Sequence, residues 1–101
     1  MPFVKVATLA DVPENSVTEV SVEGNYYAIC NVRGSIHALS GVCNHQGGPL
    51  GQGQIADGHL ICPWHAWEFD CRTGANCDAP GGGVATYPVR LEGDEILVQG
   101  P

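Results

Sequence analysis

Cations are scarce in this chain: four Lys and Arg stand against 11 Asp and Glu in 101 residues, a formal net charge of −7. Nucleic acid and anionic membrane surfaces both call for a basic face, so neither is an expected partner. Long apolar runs are missing too. No stretch approaches the roughly 18 residues of a membrane span. The start, Met1-Pro2-Phe3-Val4-Lys5-Val6, lacks a basic region followed by an apolar one. The chain therefore reads as soluble and cytoplasmic. No amphipathic helical pattern of about ten residues stands out, and no solenoid repeat, which argues against bundles and repeat arrays.

What is present points to a small β domain. A chain of 101 residues has room for one modest core and not for two. Hydrophobic residues make up 44% and charged residues 15%, a balance that folds rather than staying disordered. The 14 glycines and 7 prolines imply many turns, as in an all-β fold. The acidity has two readings. One is docking onto a basic patch of a protein partner, with an on-rate that falls as salt rises; the other is plain solubility.

Turn signals recur at strand spacing. Phe3–Leu9 alternates apolar and polar residues, and Asp11-Val12-Pro13-Glu14-Asn15 breaks it. Strands are expected at Val17–Val22, Tyr26–Val32, Ser35–Leu39, Gln54–Ala56, His59–Cys62, Trp67–Asp70, Val84–Leu91 and Glu95–Val98. The expected turns between them are Gly24-Asn25, Arg33-Gly34, Asp57-Gly58, Thr73-Gly74 and Glu92-Gly93-Asp94. The middle, about 41–83, is read as a metal-binding subdomain. It is inserted into a β-sandwich or small barrel formed by the two ends, about 1–40 and 84–101.

The metal-binding expectation rests on Cys43-Asn44-His45 and Cys62-Pro63-Trp64-His65, with 16 residues from Gln46 to Ile61 between them. Thiolate and imidazole suit zinc or iron–sulfur chemistry. A zinc site gathers four ligands on one ion, often from Cys-Cys and His-His pairs. Here each pair mixes one Cys with one His, which fits a [2Fe–2S] centre whose thiolates hold one iron and imidazoles the other. Of the five cysteines, Cys30 reads as a small buried hydrophobe, and Cys71 and Cys77 read as thiols in a reducing compartment.

The boxes Cys43-Asn44-His45-Gln46-Gly47-Gly48-Pro49-Leu50 and Cys62-Pro63-Trp64-His65-Ala66-Trp67-Glu68-Phe69-Asp70, followed by Thr73-Gly74, resemble those of Rieske-type ferredoxins over essentially the whole chain. The resemblance implies that Cys43 and Cys62 hold the inner iron and His45 and His65 the exposed one. Cytochrome-complex Rieske proteins carry a disulfide where this chain has Gly48 and Trp64, and hydroxyl donors where it has Trp67 and Phe69. The chain therefore looks like the soluble ferredoxins of ring-hydroxylating oxygenases.

Two imidazoles in place of two thiolates leave the oxidised cluster neutral, which raises its potential into the range of about −150 to +300 mV. The missing hydroxyls and the acidic surface place this chain at the low end. Gly47 and Gly48 let the backbone pass close to the cluster. Asp78–Gly83 reads either as a third loop over the cluster or as a simple connector. Trp64 and Trp67 read as packing, with Trp64 the better docking contact, and His37 and His59 as structural or surface residues.

The implied task is one-electron transfer without catalysis, from a flavin-dependent reductase to a terminal oxygenase, by a monomeric carrier. Two other readings stand beside it: a Rieske-like small subunit of a larger oxidoreductase such as nitrite reductase, and a zinc-stapled interaction module.

Overall fold

Among the described residues, four two-residue turns join paired strands, three of them with both residues in the left-handed region: Glu23-Gly24 (φ 51° and 84°), Arg33-Gly34 (φ 53° and 92°) and Asp57-Gly58 (φ 51° and 79°). Positive φ at both positions matches the right-handed twist of paired strands, and glycine at the second position meets it without steric cost. The fourth turn is Gly93-Asp94, with Gly93 at φ 61°. The first turn falls one residue earlier than the expected Gly24-Asn25, because Val22 pairs with Asn25. The last is one residue shorter than expected, because Glu92 pairs with Glu95.

The computed structural model describes residues 3–43, 47–64, 67–77 and 83–100. Its strands are β1 Val4–Thr8, β2 Ser16–Val22, β3 Asn25–Val32, β4 Ser35–Ser40, β5 Gln54–Ala56, β6 His59–Ile61, β7 Glu68–Asp70, β8 Thr86–Tyr87, β9 Val89–Glu92 and β10 Glu95–Val98. Single 3-10 turns occur at Leu9–Asp11 and Leu50–Gln52. The fold is all-β and antiparallel, in three sheets ordered β1-β10-β9, β2-β3-β4-β8 and β5-β6-β7. Among the described residues, no helix is long and apolar enough to cross a membrane.

The expected strand Val84–Leu91 is in fact two. Pro88 offers no N–H for a ladder, and its carbonyl instead accepts the Gln99 N–H at 3.1 Å. The chain on either side joins different sheets, β8 alongside β4 and β9 alongside β10.

The four-stranded sheet is the middle layer. Along β3 the side chains alternate between two cores, and Tyr27, Ala28, Ile29 and Cys30 are all buried. Tyr27 and Ile29 meet Ala7, Val12, Ile96 and Val98 on one face. Ala28 and Cys30 meet Cys43, Leu50, Leu60, Cys62 and Phe69 on the other. A strand buried on both faces reads as a continuous apolar run, as Tyr26–Val32 does. Cys30 is fully buried. Its thiol is pushed well above the usual range by a hydrogen bond with the Cys71 thiol and by burial. No disulfide joins any of the five cysteines; Cys71 lies in the core and Cys77 is exposed.

The Thr73-Gly74 turn closes β7 as expected. The Asp70 carboxylate accepts the N–H groups of Arg72 at 2.8 Å and Thr73 at 3.1 Å. The Gly74 N–H meets the Asp70 carbonyl at 2.8 Å. Gly74 sits at φ 78°, and a Cβ there would press to 2.2 Å from the Val84 carbonyl oxygen, so only glycine fits.

Phe69 is fully buried between the cysteines and the middle sheet. Phe69→Ala is expected to lower stability by about 3–5 kcal/mol, and Leu91→Ala, at a half-exposed site, by under about 0.5 kcal/mol. Chemical denaturation of the loaded protein measures both, and equal losses would refute this placement of the core.

His37 on β4 has its pKa lowered, first by burial; nearby Asp70 opposes the shift and Arg72 adds to it. The unfolded chain then takes up the proton more readily than the folded one. Stability should fall as pH drops below the unfolded value of about 6.5. His37→Gln should flatten that dependence between about pH 7.5 and 5.5, measured by the denaturation midpoint, and an unchanged profile would count against it.

Candidate metal centre

Both expected ligand boxes lie in loops closed by the same kind of bond. The Cys43 N–H donates to the Gly48 carbonyl at 2.8 Å, and the Cys62 N–H donates to the Trp67 carbonyl at 2.8 Å. In each case the acceptor lies five residues on. The first loop is drawn tighter by the Gly47 N–H on the Cys43 carbonyl at 3.2 Å and by a bridge between Val42 and Pro49. The second sits on the β6–β7 hairpin, where Ile61 faces Glu68. The likeness of the two boxes, each opening on a Cys, therefore has a backbone counterpart.

The two loops abut at Gly48. A Cβ built there would lie 2.9 Å from Cys62 Sγ and 3.2 Å from Trp64 Cβ. The second distance is close to the Cβ separation of a disulfide, about 3.5–4.5 Å. Trp64 packs on Gly48 at the place where the resembling cytochrome-complex proteins are bridged. Cys43 and Cys62 are each 1% exposed and share one core cluster.

Two reduced, water-shielded thiols on facing loops suit an iron–sulfur cluster, since thiolates are its anionic ligands and apolar surroundings keep solvent away. The expected ligands His45 and His65 lie outside the described residues, as do Asn44, Gln46, Ala66 and 78–82 of the expected third loop. Among the described residues, no three His, Cys, Asp or Glu side chains gather as a metal site.

The other two histidines stand apart from this centre. His37 pairs across the middle sheet with Cys30. His59 Nδ1 lies 3.1 Å from Glu68 Oε1 on the β6–β7 hairpin. Phe69 fills the core and Trp67 packs against it, so the positions lacking a hydroxyl are used for packing. The resemblance had already paired Gly48 with Trp64 as the positions of a bridge; what sequence reasoning missed is that the indole packs on the glycine and that Gly48 also abuts the Cys62 sulfur.

Residues 2–88 match the Rieske [2Fe-2S] domain family, and the chain belongs to that family. Within it, the chain is 32% identical over 97 residues to the ferredoxin component of the naphthalene 1,2-dioxygenase system of Pseudomonas aeruginosa, covering 95% of this chain and 93% of that one. It superimposes on the ferredoxin of carbazole 1,9a-dioxygenase from Nocardioides aromaticivorans IC177 with a TM-score of 0.87, at 33% identity and 97% coverage of both. A protein described as a nitrite reductase NADPH small subunit shares the fold alone, with a TM-score of 0.85 at 16% identity over 99% of this chain and 100% of that one.

The chain thus holds one Rieske-type [2Fe–2S] cluster and is an electron carrier, not a catalyst. The relatives favour the carrier over the nitrite reductase subunit, and the family match sets the zinc module aside.

Gly48→Ala forces a methyl group against the Cys62 sulfur and the Trp64 side chain. The purified variant should hold less iron and sulfide per chain than the wild type. Full loading with an unchanged visible spectrum would show that the loops have room to spare.

Proposed function

We propose that Cys43 and Cys62 hold one iron of the cluster and His45 and His65 the other, and that the carrier serves a ring-hydroxylating oxygenase system. The observation that carries the ligand set is the pair of loops with matching closures, each starting at a buried cysteine and meeting at Gly48. The bound cluster supplies one-electron storage at constant ligation. The protein's part is to exclude water around the thiolates and to keep one edge reachable by a partner. Trp64, 47% exposed beside His65, marks that edge.

The donor in this reading is a flavin-dependent reductase, the acceptor is a terminal oxygenase, and the carrier works as a monomer in the cytoplasm. Support for the acceptor comes from the relatives, which are the ferredoxin components of dioxygenase systems. The middle segment 41–83 acts as the cluster-binding subdomain on a base formed by 1–40 and 84–101. In support, the β5-β6-β7 sheet and both cysteines fall within that segment, while the strands of the other two sheets fall within the base.

Iron and acid-labile sulfide analysis with electron paramagnetic resonance of the dithionite-reduced protein tests the centre. Two irons, two sulfides and a rhombic signal are expected. His65→Cys should replace one of the two imidazoles with a thiolate, and the potential should then fall part of the way toward the roughly −400 mV of all-cysteine clusters. An unchanged or higher potential would refute His65 as a ligand. Size-exclusion chromatography of the native protein separates a free carrier from a subunit of a larger complex.

A further inference from the structure

The middle sheet extends past the loops that cover it, and its uncovered end adjoins the first ligand loop. Val17, Ala28, Cys30 and Leu39 belong to the core under the loops. On the same face toward the β2–β3 turn, Tyr26 is 52% exposed. Loop and sheet meet at Gly41, whose N–H donates to the Tyr26 carbonyl at 2.8 Å and whose Cβ would lie 2.7 Å from the Tyr26 backbone. The result is a groove of about 280 Å³ between Tyr26, Val42, Gly47 and Pro49, with Glu19 and Gln52 at its end.

Val42 is 46% exposed, Gly47 lies beside it, and Gly48 carries the exposed Trp64. Among the described residues, exposed large apolar side chains therefore stand on either side of buried Gly48: Trp64 on one, Val42 and Tyr26 on the other. Large apolar side chains exposed together on a small protein mark a contact site.

Charge selects the partner. None of the four cations lines the groove: Lys5 pairs with Glu95 and Arg90 with Glu92 on the far sheet, and Arg33 and Arg72 belong to other turns. Among the described residues Glu19 has no cationic partner. Its Oε1 accepts only the neutral Gln52 amide, at 3.3 Å. Exposed Glu23 lies in the adjoining turn.

We propose that the strip from Trp64 to Tyr26 is the docking surface for an electron-accepting protein with an apolar patch, and that the groove takes a Lys or Arg side chain of that acceptor whose charge meets Glu19. An aliphatic stem suits the apolar walls while its cationic head suits the carboxylate. The proposal rests on the carrier reading and adds to it where the acceptor binds and what it presents.

The test uses the cluster-loaded protein, reduced and mixed in stopped flow with cytochrome c as a basic one-electron acceptor. Glu19→Gln should slow the second-order electron transfer about three- to tenfold at low ionic strength and flatten its salt dependence. Glu14→Gln, the same charge change at an exposed turn away from the groove, should do much less. Tyr26→Ser should slow transfer at every salt concentration, and all three variants should keep the wild-type reduction potential. Equal effects of Glu19→Gln and Glu14→Gln, or a Tyr26→Ser variant as fast as wild type, would overturn the docking surface. A loaded, reduced wild type that passes no electron to cytochrome c would overturn the carrier reading itself, and the surface with it.

Discussion

Two hydrogen bonds of one kind, Cys43 N–H to the Gly48 carbonyl and Cys62 N–H to the Trp67 carbonyl, close the two loops on which the centre depends. Each closure uses the cysteine's own N–H and so ties the cysteine backbone across its loop. The missing side chain at Gly48 then lets the loops approach until one meets the sulfur of the other. In this chain the contact is made by an indole lying on a glycine, with no covalent bridge between the loops. Packing replaces a cross-link, and the chain remains compatible with a reducing environment.

The layers behind the loops follow from one strand. β3 buries side chains on both faces, so one core anchors β1 and β10 while the other receives the cysteines, Leu50, Leu60 and Phe69. The cysteine loops therefore rest on a sheet that is itself supported from behind. The same sheet leaves its turn end uncovered at Tyr26, beside the first loop.

Much of the architecture was legible in the residues. Arg33-Gly34, Asp57-Gly58 and Thr73-Gly74 announced their turns because glycine at positive φ is a local requirement. The turns at Glu23-Gly24 and Gly93-Asp94 came out a residue off or a residue short. Several residues there tolerate either placement, and strand register decides between them. The split at Pro88 had its signal in the sequence, but the assignment of its two sides to different sheets depends on which neighbour each side meets. The 3-10 turn at Leu50–Gln52 left no periodic trace, since three residues are too few to show one.

The two boxes that pair a Cys with a His pointed by themselves to iron–sulfur or zinc chemistry and favoured a [2Fe–2S] centre, because ligand preference belongs to side chains, and the family match agrees. The turn sequence likewise determined an antiparallel β fold, since left-handed backbone is a property of single residues. Only the tertiary structure decided that Cys71 is sealed in the core against Cys30, that Gly48 abuts the Cys62 sulfur, and that Glu19 and Tyr26 line one groove beside the first loop. Each of these joins residues far apart along the chain. Such contacts depend on how sheets stack and where their cover ends, and no local pattern encodes that.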